Sequence, residues 1–396
     1  MDCAFMVKEK LKKVQKEMEK HFVHLHQYPE LSFREFETTN YIKKVLTDLG
    51  IEIVDIDSPV GVIGLLHGTG AGNCAALRAD IDALPITEQS SFSHPSLTAG
   101  VSHACGHDGH ISCLLGAAHI LSEMTHSFHG DIKFIFQPAE EGAGGACYFV
   151  EKGCMNAPHV DAIFGLHNAP TLNSGLLGLK TGGIMAAVHK FKITLKGKGG
   201  HGAIPESNID SIVAASAIIQ GLQTITSRNT PPTQACVVSV CSIHAGDGLT
   251  FNVNPEILEM AGTCRCYSKK MELLIEKRFR EIVSQIADAY QVQVEIDYIP
   301  LHSAVINDSA LHDCAVAAAE LLSIPYVTPI PSTAGDDFST YADYAPSYFF
   351  WLGNYNDKKD TIYPLHHPKF KIDTDTLSLG AGIYAMSALH YLNHIK

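Results

Sequence analysis

The sequence predicts an α/β protein in which a catalytic domain is interrupted by a smaller, inserted domain. Strand-like and helix-like segments alternate in the first half of the chain, a self-contained β-α-β-β-α-β segment follows, and the alternation then resumes. Such alternation is typical of a mixed, largely parallel sheet flanked by helices. We therefore expect a discontinuous catalytic domain over 1–184 and 299–396, and an inserted domain over 185–298.

The first half contains amphipathic stretches and short apolar runs that end abruptly in polar residues. The predicted elements are helices over 7–22 and 35–49, strands over 62–67 and 74–78, a helix over 111–121, a strand over 131–136, a helix over 145–151 and a strand over 162–166. The polar strand ends matter because ligands of open α/β sheets collect beyond the carboxyl ends of the strands.

The inserted segment has the order of a ferredoxin-like, split βαβ domain. Its predicted elements are a strand over 188–195, a helix over 209–226, strands over 235–243 and 257–266, a helix over 271–290 and a strand over 293–298. The catalytic domain resumes with a helix over 309–322, a strand over 347–353 and a helix from 376. Gly182-Gly183 and Pro300 are the expected hinges.

Composition excludes several classes of function. The formal net charge of −13 argues against a nucleic-acid partner. No apolar run of about 18 residues indicates a membrane span, and the N-terminus lacks the pattern of a signal peptide. Eleven cysteines without a framework spacing indicate reduced thiols. We expect a soluble, cytoplasmic protein.

The run ACGHDGH at 104–110 is the strongest local indication of chemistry. It places Cys105, His107, Asp108 and His110 beside two glycines at the start of a predicted helix. Short His/Cys clusters suggest a metal site without establishing one. The alternative is that Cys105 is a small core residue and that the histidines cap the helix.

Further candidate donors follow other strands. Glu140 and Glu141 come directly after the predicted strand 131–136, and His167 follows the strand 162–166. His366 and His367 lie between two prolines near the C-terminus, and either one could be the donor. Two adjacent glutamates can have different roles, because Glu141 can bind a cation while Glu140 acts as general base. The alternative is that both glutamates lie in a solvated loop without a catalytic role.

Together these residues form a donor set for two metal ions if one donor bridges. The set is Cys105, His107, Glu141, His167 and one of His366 or His367. A thiolate beside cations is deprotonated by them and can bridge. Histidine and carboxylate suit Zn, Mn, Co or Ni.

The sequence resembles the co-catalytic metal aminoacylases and carboxypeptidases, in the branch of hippurate hydrolase, bacterial N-acyl-amino-acid amidohydrolases and plant auxin-conjugate hydrolases. The segments that carry the resemblance are LHQYPEL (25–31), LRADIDALP (77–85), CGHDGH (105–110), FQPAEEG (136–142), GLH (165–167), GKGGHGAIP (197–205) and LHHPKF (365–370). In this order and spacing, the matching segments extend over essentially the whole chain.

The resemblance implies a two-metal site with a single general base. The implied metal ligands are Cys105, His107, Glu141, His167 and His366. Glu140 is the implied general base, and Asp80 occupies the position of an aspartate that orients a ligand histidine. The alternative for Asp80 is a salt bridge with Arg78.

The resemblance also assigns roles to the inserted domain, as a lid and dimerisation domain. His201 would reach the active site of the other subunit of a homodimer, or of a homotetramer, and stabilise the oxyanion. Asn252 and Arg265 would hold the substrate, since a guanidinium binds both oxygens of a carboxylate. The alternatives are a plain turn at His201 and a structural ion pair at Arg265.

Two positions depart from the family pattern. The family usually has Glu-Asp-Phe where this chain has Asp336-Asp337-Phe338, which affects the expected fine specificity. His367 stands beside His366 where relatives often carry Ser or Asn.

The sequence thus predicts a metal-dependent amidohydrolase that cleaves N-acyl-L-amino acids of the hippurate or N-acetyl type, with a metal-activated water and Glu140 as base. The enzymatic alternatives are an N-acetyl-diaminopimelate deacetylase and a dipeptidase. The non-enzymatic alternative is a catalytically dead metal or thiol sensor.

Overall fold

The computed structural model describes residues 3–142 and 144–394, which form two compact units. The larger unit comprises the residues up to Gly182, Ile306–Ile330 and the residues from Asp337 on. The smaller unit comprises Gly183–Val305 and Pro331–Asp336. Pro331–Asp336 joins the smaller unit because the backbone N–H of Ala186 donates to the carbonyls of Ser332 and Ala334. The sequence pattern had assigned this segment to the catalytic domain.

The described residues contain sixteen strands and eight α-helices, beside a few short 3-10 and π-helical segments. The strands are β1 (Glu52–Val54), β2 (Val62–His67), β3 (Cys74–Asp80), β4 (Asp131–Gln137), β5 (Ala162–Asn173), β6 (Leu177–Gly178), β7 (Gly182–Met185), β8 (Ala187–Lys196), β9 (Gly200–His201), β10 (Cys236–Ala245), β11 (Val253–Asn254), β12 (Ile257–Cys266), β13 (Gln293–His302), β14 (Val305–Asn307), β15 (Tyr326–Val327) and β16 (Ser347–Tyr355). The helices are α1 (Cys3–Gln27), α2 (Phe36–Asp48), α3 (His107–Ser122), α4 (Gly145–Glu151), α5 (Ser211–Thr224), α6 (Lys269–Ala289), α7 (Ser309–Leu322) and α8 (Leu377–His394).

The larger unit is built on an eight-stranded sheet in the order β1-β2-β4-β3-β5-β16-β6-β15. Its four central strands, β4, β3, β5 and β16, are parallel to one another. All seven residues of β3 are buried, as expected of a parallel strand covered on both faces. Helix α3 packs against α1 and α8. The approach to α1 is close, because a Cβ on Gly116 would lie 2.3 Å from Met18 Sδ.

The smaller unit has a four-stranded antiparallel sheet in the order β10-β12-β8-β13. Along the chain its elements run β8, α5, β10, β12, α6 and β13, which is the split βαβ arrangement. Apolar residues of the sheet and of α5 and α6, such as Phe191, Ile218 and Phe279, form its own core. The predicted fold class is confirmed.

The observed elements extend beyond the predicted ones at two functionally important places. Strand β5 continues to Asn173 because β16 pairs with it as far as Gly353 and Tyr355. His167 therefore lies inside a strand, not after its end. Helix α1 runs to Gln27, five residues past its predicted end.

Among the described residues, no helix is both long enough and apolar enough to cross a membrane.

Candidate metal and catalytic site

The carboxyl ends of the parallel strands gather the predicted catalytic residues of the larger unit. Asp80 is the last residue of β3, and Glu140 and Glu141 follow β4. Pro138 comes directly after β4 and has no N–H with which to continue the ladder. His167 of β5 lies two residues beyond Gly165, the last β5 residue that pairs with β3. The sheet thus presents acids and a histidine at one edge.

The ACGHDGH run contributes through the start of α3, which begins at His107 and not at Ile111 as the sequence pattern predicted. Gly106, directly before the helix, has the left-handed φ of 86°. A Cβ on Gly106 would lie 2.4 Å from Asn168 Nδ2, so only glycine fits here. Asp108 lies in the first turn, where a carboxylate is favourable to the helix dipole.

Five predicted ligands form two groups of three that share Cys105. One group is Cys105, His107 and His167, and the other is Cys105, Glu141 and His366. Within each group, the ligand atoms all lie within 4.8 Å of one another. Glu140 joins His107 and Glu141 in a further group of the same size. One thiol common to two donor trios is compatible with two neighbouring cations that share a donor.

The imidazoles of two of these residues have their orientation fixed by the backbone. His107 Nδ1 lies 2.8 Å from the carbonyl oxygen of Asp82, and His167 Nδ1 lies 2.8 Å from that of Asn168. Since a carbonyl only accepts, both Nδ1 atoms carry the proton and donate. The Nε2 atoms then face the site, with His167 Nε2 3.4 Å from Cys105 Sγ. Second hydrogen bonds of this kind are usual for metal-binding histidines.

The chemistry of the donor set fits a divalent cation. His107 Nε2 and Glu141 Oε1 are buried and make no hydrogen bond to any described residue. Their separation is 3.8 Å, which is too long for a hydrogen bond. Buried polar atoms without a partner are costly and call for an explanation. Clustered sulfur, imidazole and carboxylate donors suit the first-row divalent metals.

Electrostatics of the site also favour a cation. Burial, and then the negative charge of Glu141, raise the pKa of the Cys105 thiol well above its usual range. Burial and the neighbouring His110 lower the pKa of His167 well below its usual range. For His107, burial alone would lower the pKa, but the charge of Asp80 together with the contacts to Asp82 and Cys105 outweighs burial, and the pKa is raised well above its usual range. A cation would favour the thiolate and compensate the surrounding acids.

His366, and not His367, lies at the site. His366 Nε2 is 3.3 Å from Glu141 Oε1, and the His366 backbone N–H donates to the carbonyl of Ala104. The ring of His367 stacks on Tyr363, and its Nδ1 accepts from the backbone N–H of Lys369. The position of His366 beside Glu141 supports His366 as the candidate ligand, and its role stays a prediction.

Asp80 forms the salt bridge with Arg78 and also contacts a histidine, but that histidine is not one of the predicted ligands. Its Oδ2 accepts from Arg78 Nη1 at 2.9 Å, and its Oδ1 lies 2.6 Å from His110 Nδ1. The histidine that it orients is therefore His110, whereas His107 Nε2 is 3.8 Å from Asp80 Oδ2. The His110 ring packs edge-on against His167, with centroids 4.5 Å apart. Asp80 thus acts on a predicted ligand through another ring.

Asp82 is a site residue that the sequence reasoning missed. Its carboxylate accepts the backbone N–H of Glu140 at 3.0 Å and that of Glu141 at 3.1 Å, together with the hydroxyl of Ser32. Its carbonyl fixes His107. The motif LRADIDALP offered a signal, because residues two apart in an extended segment point the same way.

Asn168 is a second missed residue. Its side-chain amide donates to the carbonyl of Cys105 at 2.7 Å and lies 2.9 Å from His110 Nε2. It therefore ties β5 to the loop before α3.

Asp337 of the divergent Asp336-Asp337-Phe338 triplet has a structural contact, since its Oδ1 accepts from Arg78 Nη2 at 2.9 Å.

The other three predicted residues lie in the smaller unit. His201 is exposed on β9, where its Nδ1 accepts from the N–H of Ala203. Asn252 is exposed just before β11, and its carbonyl accepts from the N–H of Gly202. Arg265 lies on β12 and donates from Nε to the carbonyl of Thr333 at 3.2 Å. The roles predicted for His201, Asn252 and Arg265 stay predictions.

The sequence profile of Peptidase family M20/M25/M40 matches residues 76–390. The chain belongs to this family. It is 41% identical over 350 residues to the N-acetyl-L-cysteine deacetylase of Bacillus subtilis (strain 168), covering 88% of this chain and 82% of the relative. It is 36% identical over 378 residues to the IAA-amino acid hydrolase ILR1-like 4 of Arabidopsis thaliana, covering 94% of this chain and 85% of the relative.

A solved M20 structure shares the architecture. It is a Bacillus subtilis protein described as a dinuclear metal binding peptidase, with a TM-score of 0.86 and 37% identity, covering 97% of this chain and 100% of that one. The resemblance inferred from the sequence motifs is confirmed, and the protein is a hydrolase of the M20 family.

Proposed function

We propose that this M20 hydrolase cleaves the amide bond of an N-acyl-L-amino acid of the N-acetyl or hippurate type. The observation that carries the proposal is the pair of donor trios sharing Cys105, with Glu140 beside His107 and Glu141. The names of the bacterial and plant relatives, a deacetylase of an N-acetyl amino acid and a hydrolase of amino-acid conjugates, support this substrate class.

Two divalent ions, of Zn, Mn, Co or Ni, complete the site. The residues that would hold them are Cys105, His107, Glu141, His167 and His366. Bound there, the ions supply Lewis acidity that polarises the amide carbonyl and lowers the pKa of a water. Glu140 is buried, its backbone N–H donates to Asp82, and its carboxylate lies beside the candidate ligand atoms of His107 and Glu141.

Glu140 is the general base. It removes a proton from the attacking water and returns that proton to the departing nitrogen, which balances the hydrolysis without a further acid. Asp80 positions His110 against His167 and so restrains a ligand ring from behind. The products are a carboxylic acid and a free amino acid.

Residues of the smaller unit are proposed to bind the substrate. Arg265 is half-buried, and no carboxylate within the described residues forms an ion pair with it, which argues against the structural ion pair considered from the sequence. Its guanidinium suits the substrate carboxylate, with Asn252 as a further polar contact. His201 is assigned to the oxyanion, whose stabilisation is often the largest catalytic term.

A homodimer, with a homotetramer as the alternative, follows from the role of His201. The smaller unit exposes apolar side chains near this loop: Phe251 is 99% exposed and Leu249 is 81% exposed. Strand β10 is an edge of the sheet, and edges of this kind are open to pairing with another chain. A cytoplasmic location is supported by the eleven cysteines, all of which are free.

A substrate panel tests the proposal. The metal-loaded protein is assayed against N-acetyl amino acids, benzoyl-glycine, N-acetyl-diaminopimelate and dipeptides, before and after chelation. We expect the highest kcat/KM on N-acetyl amino acids or benzoyl-glycine, loss of activity on chelation and recovery on adding metal. A preference for N-acetyl-diaminopimelate or dipeptides would favour the enzymatic alternatives. No hydrolysis by fully loaded protein would favour a metal or thiol sensor.

A further inference from the structure

Glu35 is a fully buried acid close to the catalytic loop, and no role has been assigned to it. It directly precedes α2 and is 0% exposed. Its Oε1 accepts the backbone N–H of Ala139 at 2.9 Å, while its Oε2 makes no hydrogen bond to any described residue. Burial raises the pKa of Glu35 to about 7, and the charge of Asp82 acts in the same direction. Keeping an acid here is unfavourable unless its contact with Ala139 matters.

The side chain of Glu35 does not serve the helix that it precedes. A polar side chain at this place can cap the free N–H groups of the first turn, but the Glu35 carboxylate makes no such bond. Glu30 caps the first turn of α2 instead, since its carboxylate accepts the N–H groups of Glu37 and Thr38. The Glu35 carboxylate is directed instead to the loop that follows β4.

Ala139 is the strained point of that loop. Its φ is 56°, in the left-handed region that residues other than glycine rarely adopt, and it is fully buried. Such a conformation costs about 1 kcal/mol or more and persists only when the surroundings determine it. Glu35 accepts its N–H, and the N–H of Gly145 donates to its carbonyl at 3.0 Å. Both polar groups of the strained residue are thus held.

Two buried carboxylates hold three successive amides of this loop. Glu35 takes the N–H of Ala139, and Asp82 takes those of Glu140 and Glu141. The turn at Ala139 sets the direction in which the next two side chains leave the backbone. We propose that Glu35 is a positioning residue, which acts as a hydrogen-bond acceptor for Ala139 and thereby aims Glu140 and Glu141. This inference rests on the proposed function for its effect on turnover.

Two substitutions at Glu35 separate the effect of side-chain length from the effect of charge. Glu35→Gln keeps the length and an acceptor oxygen but removes the charge. Glu35→Asp keeps the charge but withdraws it by one C–C bond, ~1.5 Å, which breaks the contact with Ala139. Glu37→Gln, at an exposed position in the first turn of α2, is the matched control.

The readouts are kcat and KM, the metal content, and the hydrogen exchange of the peptide that contains Ala139. We expect Glu35→Gln and Glu37→Gln to stay close to the unmodified protein in all of them. We expect Glu35→Asp to lower kcat by about 10-fold to 100-fold with little change in KM, because a displaced base mainly affects the chemical step. Exchange at the Ala139 amide should be faster in Glu35→Asp.

Three results would overturn the inference. One is unchanged kcat and exchange in Glu35→Asp. Another is a loss in Glu35→Gln equal to that in Glu35→Asp, since charge and not the acceptor would then be decisive. The third is a loss of kcat without faster exchange. If the unmodified protein hydrolyses none of the substrates, the proposed function fails, and exchange alone still decides the role of Glu35.

Discussion

Replacing Asp82 with asparagine tests how the catalytic loop is held. The carboxylate receives three hydrogen bonds: from the Ser32 hydroxyl at 2.6 Å, from Glu140 N at 3.0 Å and from Glu141 N at 3.1 Å. In Asp82→Asn one oxygen becomes an NH2 group. Ser32 can rotate to accept from it, but one loop amide then faces a donor and loses its acceptor. Hydrogen bonds to charged groups contribute about 1.5–3 kcal/mol.

That free energy predicts the size of the kinetic effect. Without this hydrogen bond the base Glu140 is misplaced. If the whole free energy of the bond is then lost from transition-state stabilisation, kcat/KM falls by about 10-fold to 100-fold. The assay is the initial rate of hydrolysis of the best N-acyl amino acid, with metal content measured on the same samples. Asp48→Asn, at an exposed position at the end of α2, is the control. A folded, metal-loaded Asp82→Asn protein with kcat/KM within about twofold of the unmodified enzyme would refute the reasoning.

Two further predictions concern histidines. His366→Ala should lower the affinity for one metal ion, measured by titration calorimetry on metal-free protein, whereas His367→Ala should not; equal effects would reopen the assignment. For His26, burial alone would lower the pKa, but the carboxylates of Asp108 and Glu88 raise it to about 9. Because the pKa of His26 is raised in the folded state, protonated His26 stabilises the fold. This stabilisation is fully present below about pH 6.5 and is lost as the pH rises through 9. The difference in thermal midpoint between the unmodified protein and His26→Asn should therefore narrow from pH 6.5 to pH 9.5, and a constant difference would contradict it.

The convergence of the candidate metal donors could be predicted because it follows from sheet geometry. Parallel strands end at the same edge, so polar residues after β4 and within β5 had to lie near each other. The thiol of Cys105 and the imidazole of His107 were candidate donors because of their residue types. The pairing of His366 with Glu141 needed the structure, because two adjacent histidines are equivalent in a sequence pattern.

The supporting contacts could not be predicted, because they depend on how distant loops pass one another. Asp82 and Glu35 bind backbone N–H groups of residues 139–141, and a backbone amide leaves no trace in residue type. Asn168 was hidden for a related reason, since its contacts are with a carbonyl and a ring that lie about 60 positions earlier.

Element ends were misplaced where polar function interrupts an apolar pattern. The first turn of α3 carries His107 and Asp108, so the helical periodicity became visible only at Ile111. His167 interrupts the apolar run of β5, although pairing with β16 continues past it. In both places the residues that carry chemistry obscured the secondary structure that positions them.

The central claim is that Glu140 works as a base while Glu141 holds metal. The most direct measurement is turnover and metal content of Glu140→Gln and Glu141→Gln, side by side with the unmodified protein. We predict that Glu140→Gln retains its metal and loses at least about 100-fold in kcat, and that Glu141→Gln loses metal. Turnover of metal-loaded Glu140→Gln close to that of the unmodified protein would contradict the account.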